Sequence, residues 1–220
     1  CALPICKAQF IAKGVRKATS KSSGVVDLFV DGVFEVTNKQ QLPTLIQSQL
    51  NTWFPYLRTS LTHWQYAERA AKALARATKE HDPHPELYFL FKEFLETGKD
   101  SLNPQVWWLQ FVWKLLFISG FGINLSHCIN CGQDLVTNNI GNKAVTYEGF
   151  RCVDCALKIE KQDQLIYHVL WVLEQSETRN SELVTRKGIS YNDLKNSVVD
   201  NSSVSLVQDF LEMAFKYHFL

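Results

Sequence analysis

Four of the six cysteines form two Cys-x-x-Cys motifs in the second half of the chain. Cys128 and Cys131 make up the first motif, Cys152 and Cys155 the second, and twenty residues separate the two. Zinc prefers a tetrahedron of soft donors, and each motif brings two sulfur atoms close enough to share one ion. The spacing predicts a structural Zn²⁺ site, because four protein ligands leave no position for water or substrate.

Two disulfides and a redox-active dithiol are the alternatives to this metal site. Disulfides need an oxidising compartment, and no secretory signal is visible at the N-terminus, so we expect a reducing one. A redox dithiol needs only one Cys-x-x-Cys, usually at a helix start. Gly132, Gly141 and Gly149 lie among polar residues in loop-like sequence, which favours a zinc ribbon with a short hairpin. We interpret His127 as a neighbour of the site and not as a ligand.

A basic segment at the N-terminus is the second feature that could bind a ligand. Residues 1–26 hold five basic side chains and no acidic one before Asp27, whereas the rest of the chain holds 18 basic and 22 acidic residues. This distribution indicates a localised anion-binding surface, although the net charge is only +1. A solvated lysine-rich surface is the alternative. The five basic residues are Lys7, Lys13, Arg16, Lys17 and Lys21.

Motifs of common enzyme classes are missing from the sequence. It contains no phosphate-binding loop, no Gly-x-Gly-x-x-Gly, no His-Glu-x-x-His and no Gly-x-Ser-x-Gly. His84-Pro-Glu86 spells the His-x-Glu of zinc deaminases, but neither cysteine pair follows a proline, so we interpret it as a helix start. We therefore expect a protein that is not an enzyme, and an enzyme with a dispersed site is the remaining alternative.

The elements that position these residues differ between the two ends of the chain. The first fifty residues have the composition of strands: an imperfect alternation over residues 9–17, a polar loop, and residues 25–36 as a hairpin turning at Asp31-Gly32. In the predicted strand we expect Gly14 to mark a bulge or bend. With 46% hydrophobic residues the chain has ample material for a core.

After about residue 60 the pattern predicts helices. One is capped by Thr62, a second runs from Glu86 to Thr97 with Gly98 as its stop, and a third has Asn103 as cap and Pro104 in its first position.

The third predicted helix carries an apolar run over residues 106–118 that ends before Gly120. This run is too short to span a bilayer, and we expect no membrane association. We assign its tryptophans, Trp107, Trp108 and Trp113, to the core and not to base stacking. Later helices are predicted over residues 165–174 and from Val204 onward, with a polar stretch between them.

The order of these motifs resembles the RecO family of bacterial DNA-repair mediators. The matching segments are Ala12-Lys-Gly-Val-Arg-Lys17 with Ser20-Lys21, then Leu115-Leu-Phe-Ile-Ser-Gly120 leading to Cys128-Ile-Asn-Cys-Gly132, then Tyr147-Glu-Gly-Phe-Arg-Cys-Val-Asp-Cys155. The resemblance extends over most of the chain from about Lys7.

The resemblance implies an α+β protein with an N-terminal OB-fold β-barrel, incomplete in this chain, over residues 1–55. A helical domain over residues 56–220 would follow, with its zinc insert at 126–157. The family likeness also implies binding of single- and double-stranded DNA and strand annealing. It implies loading of RecA together with RecR and the C-terminal tail of single-stranded-DNA-binding protein, in the bacterial cytoplasm at the nucleoid. A groove among the helices would hold that tail.

The basic segment suits such a role, since lysine and arginine can track phosphates without contacting bases. The start of the chain departs from the family pattern, because it has no Met and lacks the first strands of the barrel. We expect a truncated protein whose native sequence begins near Cys6 or Lys7, with an unpaired sheet edge. A zinc-ribbon interaction or scaffold module without DNA binding is the alternative function.

Overall fold

A computed structural model describes residues 7–15, 17, 24–37, 42–80, 82–101, 103–135, 143–167, 169–170 and 201–219. The chain divides into two compact units, an N-terminal unit, Cys1–Asp100, and a C-terminal unit, Ser101–Leu220. Helices and small antiparallel sheets make up the described residues, which confirms a mixed helix and strand protein. The domain boundary after residue 55 stays a prediction.

The N-terminal unit contains an antiparallel pair of strands, β1 (Val30–Val36) and β2 (Leu45–Trp53). Its register runs from Val30 opposite Trp53 to Val36 opposite Leu45. In the described ranges this sheet has two strands, and a complete OB-fold barrel is not formed by them. Several large apolar side chains of the pair are exposed, at 40–60% of their surface: Val33, Ile46, Leu50 and Trp53.

The predicted hairpin turn at Asp31-Gly32 is wrong, because both residues lie inside β1. The register shifts between them, as at a β-bulge, and a Cβ on Gly32 would lie 2.6 Å from the carbonyl oxygen of Gln49. Glycine therefore permits close approach of β2 here and does not reverse the chain. The carboxylate of Asp31 accepts hydrogen bonds from the side chains of Tyr88 and Lys92.

The strand predicted over residues 9–17 forms only in part. Ile11 makes an isolated bridge with Thr44, in which the N–H of Ile11 donates to Pro43 and the N–H of Leu45 donates to Ile11. Residues 13–15 form a turn. Gly14 has a φ of +71° in that turn, so the bend predicted at this glycine is present.

Three helices complete the N-terminal unit: α1 (Tyr56–Thr59), α2 (Leu61–Ala77) and α3 (Pro85–Thr97). The cap of α2 is Ser60, whose hydroxyl accepts from the N–H of His63, so α2 begins slightly before the predicted cap Thr62. Helix α3 follows its proline break as predicted, with His84 as N-cap. Gly98 has a helical φ of −59° and leads into a 3-10 turn, Gly98–Asp100.

The C-terminal unit begins with α4 (Pro104–Ile118), which confirms the predicted apolar helix. Asn103 Oδ1 accepts from the N–H groups of Gln105 and Val106 at 3.0 and 3.3 Å, as an N-cap does. Beyond the helix, Gly120 has a φ of +82°, and the N–H of Phe121 donates to Leu116. This left-handed ending is the Schellman arrangement.

Helix α4 lies in the core of the C-terminal unit. Its tryptophans Trp107, Trp108 and Trp113 are only 4–5% exposed, which confirms their assignment to the core. Helical residues 161–167 and 169–170 form α5, which starts earlier than predicted. The predicted end of α5 and most of the predicted polar stretch lie in residues 171–200, outside the described residues.

The last helix, α6 (Asn201–Phe219), packs against α4 and begins three residues before the predicted Val204. In the described segments, none of the helices combines the length and the hydropathy that crossing a bilayer requires.

Candidate metal centre and nucleic-acid surface

The first cysteine motif is a tight turn closed by backbone hydrogen bonds. The N–H of Cys128 donates to Gln133 at 2.8 Å, and the N–H of Gly132 donates back to Cys128 at 2.9 Å. Gly132 has a φ of +75°, which side-chain-bearing residues rarely adopt. The glycine after the motif therefore lets the chain reverse and aim both cysteines inward.

A short hairpin carries the second motif to the first, as the sequence predicts. Its strands are β3 (Ala144–Thr146) and β4 (Gly149–Arg151). The N–H of Ile129 donates to Phe150 at 3.0 Å, which fixes the first turn against β4. Directly after β4, the N–H of Cys155 donates to Cys152 at 3.2 Å and closes the second turn.

The four cysteine sulfurs converge on one point. The Sγ atoms of Cys128, Cys131, Cys152 and Cys155 all lie within 4.8 Å of one another. The Sγ atoms of Cys131 and Cys152 are 3.6 Å apart, close to the edge of about 3.8 Å in a tetrahedron with Zn–S bonds of about 2.3 Å. All four are free thiols, so the convergence favours a metal site over two disulfides.

Backbone amides prepare one sulfur of this cluster for a cation. Burial by itself raises the pKa of the Cys128 thiol, but N–H groups of Cys152, Cys131 and Asn130 donate to its sulfur and lower that pKa to about 6. Cys152 N–H to Cys128 Sγ measures 3.3 Å. Such donors offset thiolate charge, as metal-bound cysteines require.

The neighbouring sulfurs behave in the opposite way. The N–H of Gln133 acts to lower the pKa of Cys131, but the surrounding cysteines Cys128, Cys155 and Cys152 outweigh it and raise that pKa to about 12. Burial is the main cause that raises the pKa of Cys152. Several negative sulfurs so close together need a cation, and this donor set fits Zn²⁺.

The residues around the cluster divide into ligands and supports. His127 is exposed, and the metal-ligating group among the described residues consists of the four cysteines, in agreement with its interpretation as a neighbour. Asn130, which the sequence analysis did not single out, donates its side-chain amide to Cys155 Sγ at 3.3 Å. Its position inside a Cys-x-x-Cys turn is the signal that identifies such a supporting residue.

A buried aromatic pair anchors the hairpin that carries the second cysteine motif to the rest of the C-terminal unit. The rings of Phe150 and Tyr167 meet edge to face with centroids 4.9 Å apart, and the Tyr167 hydroxyl donates to Leu125. Lys143 is 1% exposed, donates to the carbonyl of Leu135, and lies 3.7 Å from the centre of the Tyr167 ring. These contacts fix the hairpin that positions the second cysteine pair.

The structure places three of the five predicted DNA-binding residues. Lys13 and Lys17 are exposed on either side of the Gly14 turn, and the N–H of Lys17 donates to Gly14 at 3.0 Å. Lys7 is also exposed, and its Nζ donates to the carbonyl of Ala75 at the end of α2. Arg16 and Lys21 lie outside the described residues.

The turn brings Lys13 and Lys17 together, while Lys7 is tied to a helix end. An ammonium group has three donors, so the bond from Lys7 to Ala75 is compatible with a phosphate contact. The assignment of these residues to DNA binding stays a prediction.

Comparison with known proteins points to one family. A family model described as "Recombination protein O C terminal" matches residues 58–189, more than half of the chain. This segment includes α2, α3, α4 and both cysteine motifs.

Curated relatives agree with that match. "DNA repair protein RecO" of Listeria monocytogenes serotype 4b (strain CLIP80459) is 28% identical over 123 residues, which cover 56% of this chain and 48% of that protein. The proteins of the same name from Bacillus velezensis and Bacillus subtilis (strain 168) are 28% identical over 145 residues, 66% of this chain and 56% of each relative. The chain spans about half the length of the curated relatives it matches.

Proposed function

Because the chain belongs to the RecO family of recombination proteins, we propose that it is a mediator of DNA repair and homologous recombination. It binds single- and double-stranded DNA, promotes annealing of complementary strands and supports RecA loading. It acts by binding and is not an enzyme. The family match carries this proposal, and the exposed lysines of the N-terminal unit supply a physical means for it.

The proposed DNA contact is electrostatic. Lys13 and Lys17 are exposed at one turn, where their ammonium groups can contact phosphates without contacting base edges. Arg16 and Lys21 flank them in sequence and belong to the proposed surface with Lys7. Binding of this kind is independent of sequence and weakens as salt rises.

We assign the strand pair of the N-terminal unit to an incomplete OB-fold barrel. The exposed apolar side chains of β1 and β2 support this assignment, because further strands or a partner would cover them. The proposed barrel domain comprises residues 1–55, and the helical domain comprises residues 56–220.

The proposed cofactor is one structural Zn²⁺ held by Cys128, Cys131, Cys152 and Cys155. When bound, the ion would neutralise the sulfur charges and tie the two turns together. With four protein ligands it has no open position for chemistry. The proposed protein partners are RecR and the C-terminal tail of single-stranded-DNA-binding protein, and the proposed location is the bacterial cytoplasm at the nucleoid. Family likeness supports the partners and the location.

Fluorescence anisotropy with a labelled single-stranded oligonucleotide tests the DNA-binding proposal. Lys13→Gln/Lys17→Gln removes two charges and should reduce the slope of log affinity against log salt by about 1.4. Lys99→Gln/Lys161→Gln is the matched control, since both of these lysines are exposed elsewhere. Unchanged affinity and slope in the Lys13/Lys17 variant would remove this turn from the DNA surface.

One observation favours a second candidate function, a zinc-ribbon module for protein interaction. Ile129, Val153 and Leu157 beside the cysteines are 37%, 54% and 101% exposed. Exposed apolar side chains beside a metal-binding motif can form a docking surface. Absence of binding to single-stranded DNA at low salt would favour this function over the first.

A further inference from the structure

Helix α2 presents a row of basic side chains that the sequence analysis did not assign to any function. Arg69, Lys72 and Arg76 recur at the spacing of one helical face, and Lys79 follows just beyond the helix end. All four are exposed. No acidic residue occurs between Arg69 and Lys79. We call these four residues the α2 basic face.

Packing fixes the direction of this face. Ala67, Ala70 and Ala73 are at most 6% exposed and form the buried side of α2. Their small side chains permit close approach of neighbouring elements, while the long basic side chains lie on the side turned to solvent. The orientation of α2 is thus set by its alanines and leaves the basic residues accessible.

The α2 basic face lies next to the start of the predicted DNA-binding segment. The Nζ of Lys7 is 3.1 Å from the carbonyl oxygen of Ala75, the residue before Arg76. The backbone of Lys7 also forms an isolated parallel β-bridge with the backbone of Glu80, just after Lys79. The sequence separates Lys7 from Ala75 by 68 positions, so only the fold brings the two basic regions together.

Charge is segregated between the two long helices of the N-terminal unit. Helix α3 exposes three acidic side chains, Glu86, Glu93 and Glu96. On α2, Glu68 is the acidic residue, and it pairs with Lys72 at 2.7 Å. Such an exposed pair contributes little and leaves the lysine able to exchange partners. A surface that needed only solubility would mix the two signs, whereas here one helix is basic and its neighbour acidic.

We propose that the α2 basic face binds the sugar-phosphate backbone of single-stranded DNA as a continuation of the N-terminal basic segment. This inference rests on the proposed DNA-binding function. Arg69 to Arg76 span about 10 Å along the helix, a length that lets these side chains contact more than one phosphate of a single strand. Guanidinium groups bind phosphate oxygens in a fork, which suits the two arginines.

The experiment compares two triple variants of the full chain in salt titrations with single-stranded DNA. Arg69→Gln/Arg76→Gln/Lys79→Gln removes three charges from the α2 basic face and should lower the salt slope by about 2. Its affinity at 0.1 M salt should fall by on the order of tenfold to a hundredfold. Lys99→Gln/Lys161→Gln/Lys216→Gln removes the same charge from other exposed positions and should bind like the unchanged protein.

Two further variants guard against a folding artefact. Arg69 lies 5.3 Å from the centre of the Tyr66 ring, so its loss can affect packing, whereas Arg76→Gln/Lys79→Gln changes only the helix end. This double variant should lose part of the salt slope with unchanged circular dichroism. Arg69→Lys/Arg76→Lys keeps the charge and should retain the slope.

The outcomes separate the inference from the function on which it rests. If the α2 variants bind normally while Lys13→Gln/Lys17→Gln binds weakly, the α2 inference is wrong and the proposed function stands. If the two triple variants lose DNA affinity and salt slope equally, the loss comes from the change in net charge, and the inference is wrong. If the unchanged protein fails to bind DNA at 50 mM salt, the proposed function itself fails.

Discussion

The Asp31 carboxylate joins β1 to α3 by two hydrogen bonds at the scale of single residues. Lys92 Nζ donates to Oδ2 at 2.8 Å, and the Tyr88 hydroxyl donates to Oδ1 at 3.0 Å. Burial by itself raises the pKa of Asp31, but the bonds from Lys92 and Tyr88 outweigh it and lower that pKa below its ordinary value. Asp31 is therefore more stable as an anion in the folded protein than in the unfolded chain.

The pH dependence of the free energy of unfolding should reveal the hydrogen bonds that Asp31 accepts from Lys92 and Tyr88. A lowered pKa in the folded state stabilises the protein above the unfolded value of about 3.9, and that stabilisation is lost as pH falls through the folded value. In urea unfolding at pH 7, the unchanged protein should have a larger free energy of unfolding than the Asp31→Asn variant. This difference should shrink as pH is lowered below about 5. A difference that stays constant on acidification would show that the charge of Asp31 is not its source.

Zinc content tests the metal centre at the same scale. Cys128→Ser/Cys131→Ser removes one pair of sulfurs, and two remaining cysteines cannot close a tetrahedral shell. The unchanged protein should contain about one zinc per chain by mass spectrometry, and the variant close to none. Cys1→Ser/Cys6→Ser is the control, since these cysteines lie outside both motifs, and it should keep its zinc. Equal zinc in both variants would contradict the site.

At the scale of elements, the end of α4 depends on a left-handed glycine. Gly120 has a φ of +82°, and a Cβ there would meet nothing within 4 Å, so the cost of a side chain is conformational alone. Gly120→Ala should reduce the free energy of unfolding by about 1 kcal/mol. Gly24→Ala is the control, because Gly24 has open space and no left-handed φ. Equal effects of the two substitutions on urea unfolding would refute this account of the helix end.

Local signals explain which elements the sequence predicts well. Asn103, Pro104 and Gly120 define α4 because capping chemistry involves only neighbouring residues. The turn assigned to Asp31-Gly32 fails because the same two residue types also serve a bulge, and the choice depends on Lys92 and the facing strand. A contact between residues that lie about sixty positions apart, such as Asp31 and Lys92, produces no local sequence pattern from which it could be predicted.

In the candidate site too, local signals are predicted from the sequence and long-range contacts are not. The four cysteines can be predicted because two paired motifs at short range are typical of metal binding. The support from Asn130 is missed although its place inside a Cys-x-x-Cys turn is visible in the sequence. The α2 basic face is missed because its role depends on where the helix lies in three dimensions. Charge spacing along α2 is visible in the sequence, but its proximity to Lys7 comes only from the fold.

For the whole molecule, we expect the proposed metal and the proposed DNA surface to have separate roles. The cysteines belong to the C-terminal unit and the basic residues Lys7, Lys13 and Lys17 to the N-terminal unit. We expect Cys128→Ser/Cys131→Ser to lower the thermal unfolding midpoint while leaving the salt slope of DNA binding unchanged. Loss of the slope in a variant with a folded N-terminal unit would assign the cysteines a direct part in binding.

Electrostatic, sequence-independent DNA binding is tested most directly by the affinity of the full chain for single-stranded DNA between about 50 and 200 mM salt. We expect measurable binding at low salt to oligonucleotides of unrelated sequence, with log affinity falling linearly against log salt. Each lost phosphate contact contributes about 0.7 to the slope. Absence of binding at the lowest salt, or binding that salt does not weaken, would contradict it.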